Sequence, residues 1–141
     1  MKELTVLATI ENTPVVTAFI DEQLEALRCP MKAQMQIDVA VDELFSNIAR
    51  YAYGGGTGDA TVRFSFDAST SMVSITFIDC GLPFDPLEQD EPDVTRSAEE
   101  RAVGGLGIFL ARKTMDAMVY RMAHGCNVLT IQKRIQNERN E

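Results

Sequence analysis

Two pairs of alternating apolar runs govern what this chain can fold into. Val62, Phe64 and Phe66 are followed, across the turn-forming stretch DASTS, by Val73, Ile75 and Phe77. Alternation of period two gives each run one apolar face, and so short a connection joins strands that run in opposite directions. A second pair, MVYRMA and NVLTIQKRI, lies around HGCN in the same manner. An N-terminal run adds a strand, with Leu4, Val6, Ala8 and Ile10 alternating with more polar neighbours apart from Leu7. A doubly wound parallel sheet needs a crossover between successive strands, and these strands come mainly as hairpins. The pattern therefore predicts an α+β fold: a two-layer sandwich in which a mixed, mostly antiparallel sheet carries its helices on one face.

Three helical stretches supply the second layer. Thr13 and Pro14 give an N-cap and a favoured first-turn residue, and Val16, Phe19, Ile20, Leu24 and Leu27 continue at helical spacing. Pro30 precedes a second helix over about residues 32–53, striped by Ile37, Val41, Leu44 and Ile48 and stopped by Gly54, Gly55 and Gly56. The third follows Gly104, Gly105 and Gly107, with Ile108, Ala111, Met115 and Met118 in helical register. Residues 87–103 are polar and acidic, contain Pro92 and show weak periodicity, which reads as a mobile loop, a lid candidate able to hold a short helix. Residues 136–141 read as a frayed tail.

The length of 141 residues and 45% hydrophobic content predict one domain, residues 1–141, with a sizeable core. Thirteen basic against twenty-one acidic residues give a net charge of −8, which disfavours nucleic acid and anionic membranes and points to a protein or small-molecule partner. Cys29, Cys80 and Cys126 lack CxxC or Cys/His spacing, so neither a disulfide framework nor a zinc site is expected, and reduced, cytoplasmic thiols are the default. Nothing in MKELTVLATIENTP reads as a targeting segment, and no apolar run approaches membrane-spanning length.

Three stretches carry polar groups that a plain core would avoid. Glu43 and Asn47 are four apart, hence neighbours on a helix face about a right angle from the apolar stripe. An amide oxygen there could ligate Mg²⁺, and a carboxylate one turn away could accept a hydroxyl proton; an ordinary solvated helix face is the alternative. Asp79 could accept a hydrogen bond from an exocyclic amine, Gly81 could let a flat ring approach the backbone, and Phe84 could add an apolar wall. The alternative is a turn. Gly104, Gly105 and Gly107 could present backbone N–H groups to phosphate at a helix N-terminus, or serve only as a hinge. Neither the spacing of a Rossmann turn nor the GK[ST] of a Walker A loop is present, and no GxSxG supports a hydrolase triad around His124.

The order of these stretches carries more information than any one of them. DELFSNIARYAY, DCGLPFDP and VGGLGIFLARKTMD resemble the N, G1 and G2 boxes of the ATPase superfamily shared by gyrase, Hsp90, sensor histidine kinases and MutL. The chain is most similar to its small bacterial branch, the anti-sigma-factor serine/threonine kinases of the RsbW type, from about Leu4 to Ile135. The resemblance implies a Bergerat-type ATP-binding fold using ATP and Mg²⁺. It implies Glu43 as general base and Asn47 as Mg²⁺ ligand. It also implies Asp79 as adenine-amine acceptor and Gly81 as the glycine beneath the base. Gly104, Gly105, Leu106 and Gly107 match the lid hinge and phosphate contacts, and Arg50 could touch phosphate. Tyr51 stands where that branch often has histidine, and Cys126 follows Gly125 where threonine is common. Arg96 and Arg101 fall in the lid stretch.

The function so implied is phosphorylation of an anti-anti-sigma protein of the STAS type together with sequestration of a sigma factor, by a cytoplasmic homodimer with no direct nucleic-acid or membrane contact. Two alternatives stay open: an ATP-dependent protein-binding switch without catalysis, and the catalytic part of a two-component sensor histidine kinase.

Overall fold

The computed structural model describes residues 1–88 and 105–135. Along the chain run β1 (Lys2–Leu7), α1 (Thr13–Ala26), α2 (Met31–Asn47), β2 (Asp59–Asp67), β3 (Met72–Asp79), α3 (Gly105–Thr114), β4 (Ala117–Ala123) and β5 (Cys126–Arg134). The strands form one sheet in the order β1-β2-β3-β5-β4, with the helices packed on one face. This is the expected two-layer α+β sandwich, except that every neighbouring pair is antiparallel, so the sheet is not mixed. β4 does run parallel to β3, but β5 lies between them. The connection through α3 sets β4 one place out, and the β4–β5 hairpin fills the vacant position.

Strand parity builds the core. Val62 and Phe64 of β2 and Val73, Ile75 and Phe77 of β3 are buried against Val16, Ile20 and Leu24 of α1 and Ile37, Val41 and Leu44 of α2. Each such side chain contributes roughly 1.5–3 kcal/mol of burial. The β4–β5 hairpin closes on His124 and Gly125, at φ 53° and 77°. Positive φ at both central residues matches the twist of a two-residue hairpin turn.

Several boundaries differ from the sequence reading. A 3-10 turn, Ile10–Asn12, runs directly into α1, so Asn12 is the cap residue and Thr13 is a buried first helical residue. β1 stops at Leu7, and Ile10 is exposed. The second helix is α-helical only to Asn47 and winds as a π-turn over Ile48–Ala52. Met115 lies just past α3, and Met118 belongs to β4. Helical spacing there persists by coincidence into a strand. The lid candidate is described only at its start, a 3-10 turn over Pro86–Glu88; the rest of it, with Arg96, Arg101 and Gly104, and the tail 136–141 lie outside the described residues.

The expectation of three free thiols is corrected: Cys80 and Cys126 form a disulfide, leaving Cys29 free. They are 46 apart in sequence, so spacing could not reveal the pair. The β3–β5 register, which sets Asp79 opposite Asn127, places them face to face one step further along. Among the described residues no helix is long and apolar enough to cross a membrane.

Candidate functional site

Asp79 shares the inward parity of Val73, Ile75 and Phe77 but ends β3, so a carboxylate is buried where an apolar face runs out. Its Oδ1 accepts two hydrogen bonds, from the Gly81 N–H and from Asn127 Nδ2, each at 3.0 Å. Oδ2 takes part in neither. Asn127 stands directly across from it in β5, at the inward parity of Leu129 and Ile131.

Beside this pair a cleft of about 250 Å³ opens between the end of α2 and the sheet. Leu44, Phe77, Phe84 and Leu129 make much of its wall, and Asn47, Asp79 and Asn127 bring polar groups into it. A mostly apolar hollow with a few fixed polar groups suits a flat heterocycle with a polar edge. Tyr120 also lines it; burial, ahead of the nearby Asp85 and Asp79 charges, pushes its phenol above the usual range.

Asn47 lies at the cleft's edge with only 9% of its surface exposed, and its Oδ1 has no hydrogen-bond partner among the described residues. A buried amide oxygen without a partner is costly, so a site of this kind favours engagement by a further polar group, a water or a bound ion. It fits a hard cation that takes oxygen ligands and is held otherwise by phosphate. One turn earlier, half-buried Glu43 reaches toward the first turn of α3. A β-carbon on Gly107 would stand 2.7 Å from Glu43 Cγ and overlap its carboxylate, so glycine is what lets α3 lie against this side chain. The carboxylate thus sits near the positive end of the α3 dipole.

The π-turn ties α2 to the loop after β3. The Ala52 carbonyl at its end accepts the Leu82 N–H at 2.6 Å, and a β-carbon on Gly81 would overlap that carbonyl oxygen. Tyr53 continues the junction: its hydroxyl donates to the Asp59 carbonyl at 2.6 Å and accepts the Cys80 N–H at 3.0 Å. Such π-turns recur at functional sites, and this one fixes where the Asp79 loop meets α2.

The structure therefore brings the three stretches together along one side of α2. Asn47, Asp79 and Phe84 line the cleft, and Glu43 meets Gly107 just beyond it. Arg50 is exposed and does not line the cleft, whereas half-exposed Tyr51 does. Gly81 is not among the lining residues; its lack of a side chain is required by Ala52. Gly105 opens α3, with Leu106 next. Sequence reasoning missed Asn127, Tyr120 and Ala52. Asn127 left one usable signal, an amide at an inward position of an alternating strand.

Residues 6–133 match the histidine kinase-like ATPase domain. Over 108 residues, 75% of each chain, the sequence is 30% identical to the serine/threonine-protein kinase BtrW of Bordetella bronchiseptica. Among solved structures it resembles the RsbU and RsbW domains of Rv1364c from Mycobacterium tuberculosis, with a TM-score of 0.64 at 16% identity over 97% of this chain. It also resembles the Erythrobacter litoralis EL346 blue-light activated histidine kinase, with a TM-score of 0.58 at 14% identity over 80% of this chain. It spans 33% and 34% of those two chains, and at such identities the likeness is one of fold. By its family match over residues 6–133 and its kinship with BtrW, the chain belongs to the histidine kinase-like ATPase domain family.

Proposed function

We propose that this protein is an ATP-dependent serine/threonine kinase that phosphorylates an anti-anti-sigma protein of the STAS type and otherwise sequesters a sigma factor, acting as a homodimer in the cytoplasm. The observation that carries the catalytic part is the arrangement on α2. Glu43 rests against the first turn of α3, and one turn on, Asn47 holds a buried amide oxygen that has no partner among the described residues, beside the Asp79 cleft.

Asp79 accepts the adenine amine, and the apolar walls take the ring faces. Glu43 takes the proton of the substrate hydroxyl as its oxygen attacks the γ-phosphorus; the bond to the β,γ-bridging oxygen breaks and ADP leaves. Backbone N–H groups at the start of α3, in the stretch of Gly105, Leu106 and Gly107, face the phosphates. Mg²⁺, bound through Asn47 and the nucleotide's own phosphates, would offset the charge on those phosphates. Arg50, exposed and outside the cleft lining, reaches the phosphates by swinging its side chain inward on binding. Kinship with BtrW supports transfer over a purely sequestering switch, as does the presence of Glu43.

The test is incubation with γ-labelled ATP and STAS-type proteins from the same genome. Label should pass to a serine or threonine of one of them, and Glu43→Ala should bind ATP yet transfer nothing. Binding of the partner without label transfer by the wild type would favour the sequestering switch instead.

A further inference from the structure

We infer that Asn127 is the positioning residue for Asp79, and that it sets the preference of the cleft for a purine bearing an exocyclic amine. The inference rests on the reading of Asp79 as the amine acceptor and assigns a residue that acts through it.

Asn127 is buried, 6% exposed, and all of its hydrogen-bonding capacity is committed. Nδ2 donates to Asp79 Oδ1 and to the Leu82 carbonyl, both at 3.0 Å. Oδ1 accepts the Phe84 N–H at 3.1 Å and the Tyr120 hydroxyl. The partners fix the amide's orientation, because its nitrogen side faces two acceptors and its oxygen side faces two donors. A flipped amide would break three of the four bonds, those to Asp79, Leu82 and the Phe84 N–H; the Tyr120 hydroxyl alone can accept as well as donate.

This amide joins three things the cleft needs. It occupies Asp79 Oδ1 together with the Gly81 N–H, which directs the other oxygen to an incoming donor. It holds Leu82 and Phe84, which form part of the cleft wall. Through Tyr120 it is braced from β4, the strand on the far side of β5. Without it Asp79 loses one of its two fixed donors and can rotate about its terminal torsion, which is soft for a carboxylate. A buried carboxylate free to turn no longer distinguishes an amine from a hydrogen at a fixed point.

The experiment compares ATP with purine-riboside triphosphate, which carries hydrogen in place of the amine, by calorimetric titration in the presence of Mg²⁺. The wild type should prefer ATP by at least about tenfold, the value of one hydrogen bond to a charged group. Asn127→Ala should bring the two affinities to within about threefold, mainly by weakening ATP, with thermal unfolding confirming a folded protein. Should Asn127→Ala not fold, Asn127→Ser, which keeps a small donor at the strand end, carries the same comparison with a reduced preference expected. A variant that folds and keeps the wild-type ratio overturns the positioning role. A wild type that does not distinguish the two nucleotides overturns the reading of Asp79 itself and the inference with it.

Discussion

Replacing Gly107 by alanine should leave the fold intact and disable the proposed chemistry. The added β-carbon would stand 2.5 Å from Glu43 Cδ and 2.7 Å from Cγ, while ordinary contact begins near 3.4 Å. The carboxyl end of Glu43 must therefore retreat by about 1 Å. It is the far end of a flexible side chain, so the move costs about 0.5–1.5 kcal/mol of rotamer strain. Alanine in place of glycine in a helix returns up to about 1 kcal/mol, so net stability should change by less than about 1 kcal/mol. Transfer is affected far more, since a displacement of about 1 Å can cost roughly a hundredfold and loss of a general base about 10²–10⁴-fold. Single-turnover transfer from γ-labelled ATP, set beside urea unfolding of the same preparation, separates the two effects. Transfer at the wild-type rate, or a collapse of stability, would refute the placement of Glu43 against α3.

Gly81→Ala should behave in the opposite way, because its β-carbon meets backbone, 2.5 Å from the Ala52 carbonyl carbon; urea unfolding should show a loss of about 2–4 kcal/mol from overpacking and the strained Leu82–Ala52 hydrogen bond, and an unchanged midpoint would contradict that. Reducing the Cys80–Cys126 bond, with its separation of 46 residues, should lower stability by roughly 4 kcal/mol on the chain-entropy account; identical unfolding curves with and without reductant would refute it. Asp38, pushed up to about 7 by burial and then by Asp21 across the α1–α2 contact, binds its proton more tightly folded than unfolded. Its stabilising share is therefore full below about pH 4 and lost as pH rises through about 7, so Asp38→Asn should stabilise the protein by on the order of 1 kcal/mol at pH 8 and hardly at pH 4. A stability difference independent of pH would contradict this.

The fold was legible because its signals are periodic. Val73, Ile75 and Phe77 declare a strand face, and Val16, Ile20 and Leu24 a helix stripe, from their spacing alone. What local pattern cannot carry is partner choice across the sheet. That the chain after β3 sets β4 beyond β5, making every pair antiparallel, is decided by long-range packing. The same register brings Cys80 to Cys126 and Asp79 to Asn127, pairs separated by 46 and 48 residues. The candidate site was legible as types in order: Glu43, Asn47, Asp79 and Gly107 were all singled out, and the structure sets them along one side of α2. The π-turn after Asn47 left no trace, since Ile48, Ala49 and Arg50 suit an α-helix as well. Gly81 was singled out for a reason other than the one the structure supplies, because only the fold shows how close Ala52 lies.

The central claim is that the cleft beside Asp79 receives the adenine of ATP, and calorimetric titration of Mg·ATP into the wild type and Asp79→Asn tests it directly. Asparagine is nearly isosteric and can keep its Oδ1 under the Gly81 N–H and Asn127 Nδ2, so the fold should hold. Its amide nitrogen then occupies the position of Asp79 Oδ2 and turns a donor toward the incoming amine, leaving two donors opposed in a buried site. ATP affinity should fall at least about tenfold, and the preference for ATP over GTP should erode. Equal ATP affinity in the two proteins would contradict the account.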